Sequence, residues 1–135
     1  MNSEPIQISE GSVGTVEGPQ PKHILYAEDQ VDVRDTVRML LSIDGHTVRE
    51  AGNGREALEI FRREKFDLVI TDYIMPEMKG NELAIAIKSL VPDQPIIMIT
   101  AFAEKLRGAD NPVDVLLHKP FVLADLRQAI AKTCP

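Results

Sequence analysis

From His23 onward, short apolar runs alternate with longer amphipathic stretches, and this alternation limits the fold more than any other feature of the sequence. The runs are rich in β-branched residues and too short for buried helices, so they indicate strands. Two of them, at residues 66–71 and 95–100, are apolar almost throughout, which is typical of strands covered on both faces. The sequence therefore predicts an α/β fold in which helices lie on both sides of a parallel sheet.

Five strands and five helical stretches are expected in strict alternation. The strands are predicted at residues 24–27, 47–51, 66–71, 95–100 and 113–117. The helices are predicted from residue 33 to a Gly45 cap, from an Asn53 cap to residue 65, at 82–91 after an Asn81 cap, around 103–106, and at 122–132.

Composition limits the domain organisation and the class of protein. A chain of 135 residues suits one domain, which we place at residues 23–135. Residues 1–22 are rich in Gly, Pro, Ser and Glu, so we expect a flexible tail there. The net charge of −6 argues against a nucleic-acid surface. A single cysteine, Cys134, and the lack of a signal-peptide pattern or a long apolar run favour a cytoplasmic protein without a membrane span.

Polar side chains gather where the predicted strands end. Glu28 and Asp29 follow the first strand, and Asp72, Thr100 and Lys119 follow the third, fourth and fifth. In sheets of this kind ligands bind outside the carboxyl ends of the strands, so these residues mark a candidate site. Crowded carboxylates are tolerated when a divalent cation neutralises them, and hard oxygen ligands select Mg²⁺.

The same residues suit phosphoryl chemistry. A lysine and a hydroxyl beside an acidic metal site describe a place for a phosphoryl group. A carboxylate can also act as the nucleophile and form an aspartyl phosphate. Asp72 is the best candidate, because it ends the central strand and precedes a Met-Pro turn that would expose it.

Four motifs in order resemble those of a bacterial response-regulator receiver domain: ILYAED, VITDYIMPEMKG, IIMITA and LLHKPF. The resemblance covers roughly residues 22–134 and implies a flavodoxin-like, three-layer fold with a five-stranded sheet of order 2-1-3-4-5. It implies these roles: Asp72 as phosphoacceptor, Asp29 as direct Mg²⁺ ligand, Glu28 as second or water-mediated ligand, the Ile74 carbonyl as backbone ligand, Thr100 as switch hydroxyl and Lys119 as phosphate-binding cation.

The resemblance also implies a function in a two-component phosphorelay, in which the domain signals by conformational switching and is not a turnover enzyme. The expected partners are a sensor histidine kinase or phosphotransfer protein and a downstream protein target, without nucleic acid or membrane and with a weak homodimer as an option. We expect a stand-alone regulator, the other option being a piece of a hybrid kinase. The main alternative is a degenerate receiver that binds proteins independently of phosphorylation. A flavin carrier and an aspartyl-phosphate phosphatase fit less well, because EDQVD would repel a phosphate and Ile74 stands where a phosphatase carries its second acid.

Three departures from the family pattern concern the metal site and the output. Glu28 stands where the family more often has Asp, and Leu116 stands where it usually has an aromatic ring. The segment between Thr100 and Lys119 is shorter than usual, which predicts a reduced fourth helix. Among the histidines, His118 is expected to point away from Lys119, and His23 and His46 are expected to face solvent.

Overall fold

The computed structural model describes residues 20–106 and 112–134. The predicted tail at residues 1–22 lies outside the described residues except for its last three. The strands are β1 (His23–Ala27), β2 (Thr47–Ala51), β3 (Leu68–Asp72), β4 (Ile96–Thr100) and β5 (Val115–His118). The helices are α1 (Val31–Ile43), α2 (Gly54–Arg63), α3 (Gly80–Leu90), α4 (Ala103–Leu106) and α5 (Leu123–Thr133).

The five strands form one parallel sheet in the order β2-β1-β3-β4-β5. This arrangement confirms the predicted fold class and the strand order 2-1-3-4-5. The register pairs Ala27 with both Ala51 and Thr71, and it pairs Asp72 with Ile99. The carboxyl ends of β1 and β3 are therefore direct neighbours, with the end of β4 beside them.

The sheet separates two apolar layers. On one face α2 and α3 pack their buried side chains, among them Phe61 and Leu83, against Leu25 and Val69. On the other face the corresponding side chains of α1 and α5 pack against Ile24 and Ile70. Each fully buried Leu or Ile side chain contributes about 1.5–3 kcal/mol, so these layers hold the strand ends in place.

The helix predicted around residues 103–106 is present as α4, Ala103–Leu106, and residues 107–111 that follow it lie outside the described ones. The predicted shortening of this helix therefore stays a prediction. The Asn53 cap is also confirmed, since its side chain accepts a hydrogen bond from the Glu56 N–H at 2.8 Å. Gly45 ends α1 with a φ of 82°, a conformation that favours glycine.

Several predicted boundaries differ from the structure; β5, for example, is predicted at residues 113–117 and spans Val115–His118. Two of the differences have a clear local cause. Helix α3 begins at Gly80 with Lys79 as its N-cap residue, and the Lys79 N–H donates to Glu82 Oε1 at 2.9 Å. Asn81, the predicted cap, lies inside the first turn, where its Oδ1 is buried without a partner. β3 starts at Leu68 and not at Phe66. The Phe66 side chain is buried in the core, but the residue lies before the strand begins.

The histidine predictions hold at one position of three. His118 is exposed, but His46 is buried with 5% exposure, and its Nδ1 accepts the Lys22 N–H at 2.9 Å. Burial lowers the pKa of His46, so the ring is neutral near pH 7. His23 is half-buried and stacks on Phe66 with ring centroids 4.7 Å apart. Both rings lie near the amino ends of strands, where His46 is buried and His23 keeps 35% of its side chain exposed.

The two ends of the described chain meet at Asp67, in the turn that leads into β3. The His23 N–H donates to Asp67 Oδ2 at 2.8 Å, and the Cys134 thiol donates to the Asp67 carbonyl at 3.5 Å. Nearby, Arg127 of α5 donates two hydrogen bonds of 2.8 Å to Asp44, at the end of α1. None of the described helices is both long and apolar enough to cross a membrane.

Gly80 is predicted to be intolerant of even one added carbon. A Cβ at this position would lie 2.2 Å from the carbonyl oxygen of Asp72, which is backbone and cannot swing aside. We expect Gly80→Ala to lower the free energy of unfolding by about 1–3 kcal/mol, the range for overpacking. Urea unfolding followed by circular dichroism measures the loss, and Ser89→Ala on the exposed face of α3 is the control. A Gly80→Ala variant as stable as the control would contradict the expectation.

Candidate functional site

Three carboxylates meet at the carboxyl edge of the sheet. Glu28 and Asp29 follow β1, and Asp72 is the last residue of β3, so the pairing of these strands brings the three together. One oxygen from each lies within 4.8 Å of the others. Glu28 and Asp72 are 2% and 7% exposed, and Asp29 is the more accessible of the three. The sequence-predicted acidic cluster is thus assembled, with Glu28 and Asp72 largely removed from water and Asp29 accessible.

Lys119 approaches the same carboxylates from the far side of β4. Its Nζ lies 2.9 Å from Asp72 Oδ1. Its backbone N–H donates to the Thr100 carbonyl at 3.0 Å, which fixes the start of the segment after β5 against the end of β4. Lys119, which follows β5, therefore forms an ion pair with Asp72 at the end of β3, although β4 lies between these two strands.

Thr100 is buried at the end of β4, between the strands that lead to Asp72 and Lys119. Its Oγ1 accepts a hydrogen bond from the Phe102 N–H at 2.9 Å. The hydroxyl thus bonds to the first turn of the loop that leads into α4. This contact couples any movement of the Thr100 side chain to the backbone of that loop.

Ile74 and Phe102 stand at the rim of the site. Ile74 follows Asp72 by two residues and is 51% exposed, and Phe102 follows Thr100 by two and is 44% exposed. The loop after β3 folds tightly, since the Gly80 N–H donates to the Tyr73 carbonyl at 2.8 Å. Ile74 is therefore held close to the phosphoacceptor candidate with its side chain turned to solvent.

The electrostatics of the site show an excess of negative charge. Burial, reinforced by the charge of Asp72, raises the pKa of Glu28 from its ordinary value of 4.5 to about 7. The hydrogen bond from the Gln30 N–H and the charge of Lys119 lower the pKa of Glu28 and offset part of this rise. Beneath the carboxylates, burial and the charges of Glu28 and Asp72 raise the pKa of Tyr26 above its usual range. One lysine does not balance three carboxylates, so the site favours a further cation.

The donor set fits a hard divalent ion such as Mg²⁺. The candidate side-chain ligand atoms are all carboxylate oxygens, and such ligands suit Mg²⁺, which also retains several waters. Their mutual distances permit all three to face one ion. Glu28, Asp29 and Asp72 would hold it.

Sequence reasoning missed one residue that touches this site. Arg34, in the first turns of α1, donates from Nη1 to the Glu28 carbonyl at 2.8 Å. No sequence motif indicates a role for an arginine six residues after Glu28. The contact depends on the position of Arg34 on the inner side of α1. A helical projection of α1 would have shown that Arg34 lies on the same side as the buried Val37 and Leu41.

The family model of the response regulator receiver domain matches residues 24–131, and the chain belongs to this family. Among curated relatives, the response regulator receiver protein CpdR of Brucella abortus is 41% identical over 114 residues, covering 82% of this chain and 95% of the relative. The response regulator MprA of Mycolicibacterium vanbaalenii is 35% identical over 122 residues, covering 85% of this chain. The match takes up 53% of MprA, so the chain spans about half the length of that relative.

Solved structures agree with this assignment. The response regulator TrrA of Thermotoga maritima, in complex with Mg²⁺ and BeF, is 31% identical with a TM-score of 0.78, covering 83% of this chain and 98% of TrrA. The chemotaxis response regulator CheY4 of Vibrio cholerae is 30% identical with a TM-score of 0.77, covering 84% of this chain and 99% of CheY4. The family and its fold are therefore shown by both sequence and structure.

The raised pKa of Glu28 predicts a pH-dependent stability. Glu28 binds its proton more tightly in the folded chain, so its contribution is complete below pH 4.5 and is lost as the pH rises through about 7. In EDTA we expect the unfolding free energy of wild type, compared with Glu28→Gln, to fall by about 1–3 kcal/mol between pH 5 and pH 8. Urea titrations at four pH values measure this difference, with the exposed Glu59→Gln as control. Parallel curves for wild type and Glu28→Gln would contradict the assignment.

Proposed function

We propose that this chain is a phosphoacceptor receiver domain of a two-component phosphorelay and that Asp72 takes the phosphoryl group in a Mg²⁺-dependent reaction. The observation that carries the proposal is the 2.9 Å contact of Lys119 Nζ with Asp72 Oδ1, beside the carboxylates of Glu28 and Asp29. A carboxylate so placed has a cation for the incoming phosphate on one side and ligands for a metal on the other. Membership of the receiver family supports the same reading.

In the proposed reaction a carboxylate oxygen of Asp72 attacks the phosphorus of a phosphohistidine. An O–P bond forms, the P–N bond breaks, and the electron pair returns to the imidazole of the donor. Glu28, Asp29, Asp72 and the carbonyl of Ile74 would hold Mg²⁺, which would supply charge neutralisation when bound. Lys119 offsets the charge of the transferred group, and the Thr100 hydroxyl donates to one of its oxygens.

Signalling follows from the position of Thr100. When its hydroxyl turns toward the phosphoryl group, the hydrogen bond from the Phe102 N–H at 2.9 Å has to adjust, which biases the loop before α4. Leu116, where the family usually has an aromatic ring, is half-buried on β5 opposite Met98. We infer that the response of this chain lies mainly in the loop after Thr100 and in α4, with Phe102 as the nearest aromatic side chain.

Receiver domains of response regulators interact with histidine kinases and downstream targets. For this chain we propose a sensor histidine kinase or a phosphotransfer protein as donor and a protein as the downstream target. The chain is proposed to work in the cytoplasm, where it undergoes phosphorylation and slow self-dephosphorylation and does not act as a turnover enzyme. Contact with nucleic acid is not part of the proposal, because the net charge is −6.

The phosphoacceptor assignment is tested with acetyl phosphate and Mg²⁺. One phosphoryl group should add to wild type, and Asp72→Asn should lose the labelling, because an amide is not a comparable nucleophile. Intact-protein mass spectrometry and Phos-tag gels measure the product, and the exposed Asp93→Asn is the matched control. Undiminished labelling of Asp72→Asn would contradict the assignment of Asp72 as phosphoacceptor. An unlabelled wild type would favour a binding module that works independently of phosphorylation.

Slow self-dephosphorylation is the second expected property. Ile74 and Phe102 flank the proposed path of the attacking water, and as apolar side chains they obstruct water without orienting it. Ile74→Asn combined with Phe102→Glu should shorten the half-life of the phosphorylated chain, by at most the factor of about 10²–10⁴ that a positioned base provides. Loss of label after removal of the donor gives the rate. Ile85→Asn, an equally exposed position on α3, is the control, and a double variant no faster than wild type would show that these residues do not gate the water.

A further inference from the structure

The peptide that joins Glu28 to Asp29 is held by one side chain. Its carbonyl oxygen accepts the hydrogen bond from Arg34 Nη1 at 2.8 Å, while the N–H of Glu28 donates to the Ala51 carbonyl at 3.0 Å. Both candidate metal ligands are attached to the α-carbons at the two ends of that peptide. A change in ψ of Glu28 or in φ of Asp29 would therefore move one carboxylate relative to the other, and the hydrogen bond to the carbonyl between them opposes such a change.

The surroundings of Arg34 keep its guanidinium available for this contact. In the parts of the chain that the structure describes, no carboxylate oxygen lies within 4.0 Å of its nitrogens, although its neighbours include several acids. Gly52 leaves the necessary space, because a Cβ there would lie 3.3 Å from Nη1. A half-buried arginine that donates to a backbone carbonyl, with no carboxylate partner, acts through geometry more than through charge neutralisation.

We propose that Arg34 is a positioning residue for the metal site and that its hydrogen bond to the Glu28 carbonyl sets the orientation in which Glu28 and Asp29 bind Mg²⁺. The inference rests on the function proposed above and deepens it. Partners that orient metal ligands from behind typically change metal affinity about 10–100-fold when they are removed.

Geometry and charge predict effects of opposite sign, which makes the proposal testable. Arg34 is a cation close to a site for a cation, so removing its charge alone should strengthen Mg²⁺ binding. Loss of the hydrogen bond that orients the turn should weaken it. The direction of the change in the dissociation constant therefore separates the two roles.

The experiment is a Mg²⁺ titration of the full chain followed by amide shifts in ¹H–¹⁵N NMR spectra, which also report whether each variant is folded. We expect Arg34→Met to raise the Mg²⁺ dissociation constant about 10-fold and Arg34→Lys, which retains a donor, to raise it less. Arg38→Met is the matched control. It removes the same charge one turn further along α1, where Arg38 pairs with Asp35 and Glu50, and it should leave the constant unchanged or slightly lower.

A dissociation constant for Arg34→Met that equals or falls below that of wild type would overturn the proposal. If Arg34→Met does not fold, Arg34→Leu, which also lacks a donor, is read by the same criterion. The Mg²⁺ dependence of acetyl phosphate labelling gives a second readout: half-saturation should shift with the dissociation constant, and the maximal rate should recover at saturating Mg²⁺. A reduced maximal rate without a shift in half-saturation would indicate a merely structural role.

The failure of this inference is distinguishable from the failure of the proposed function. If wild type shows no saturable response to Mg²⁺ and no labelling of Asp72, the proposed function falls and Arg34 has nothing to position. If wild type binds Mg²⁺ and is labelled, and Arg34→Met binds Mg²⁺ equally well, only the role of Arg34 is overturned. Asp29→Ala sets the scale of a lost direct ligand in the same titration.

Discussion

A strand that is covered on both faces has no place for a charged side chain except at the point where it stops. β3 and β4 are buried at all five positions each, and Asp72 is the final residue of β3. Because the strands are parallel, all their carboxyl ends lie at one edge, and the side chains excluded from the interior collect there. The acidic cluster, the lysine and the threonine hydroxyl are thus a consequence of how the sheet is buried. Moving any of these side chains into the middle of a strand would place an unpaired charge or hydroxyl in the core.

The gathered charges then determine the behaviour of the site. Two carboxylates with oxygens within 4.8 Å of each other repel by about 3 kcal/mol in surroundings of intermediate dielectric, and Lys119 forms its ion pair with Asp72. The raised pKa of Glu28 is the response of the cation-free protein, because burial disfavours the charged carboxylate and a proton also relieves part of the repulsion from Asp72. A divalent ion would relieve more of it, and it would compete with that proton. Metal affinity, pH dependence and stability are therefore linked through the same few oxygen atoms.

Hydrophobic pattern was sufficient to predict the strands and the edge of the sheet where the site lies, because burial on two faces leaves a plain signature in sequence. The strand order was predicted only from the resemblance to the receiver family. It was insufficient wherever a local polar contact decides the outcome. The pattern could not show that Lys79 would precede α3 in place of Asn81, or that Glu77 would adopt a φ of 71°, a conformation more usual for glycine. His46 was misjudged for the same reason: its burial depends on the backbone of Lys22, a contact between segments that no spacing in the sequence reveals.

Asp67 receives hydrogen bonds from both ends of the described chain, His23 at the start of β1 and Cys134 after α5. Asp67 precedes β3 and Asp72 ends that strand, so both ends of the described residues lie one strand length from the acidic cluster, at the other edge of the sheet. One carboxylate thus fastens the described ends together while another, at the far end of the same strand, belongs to the site.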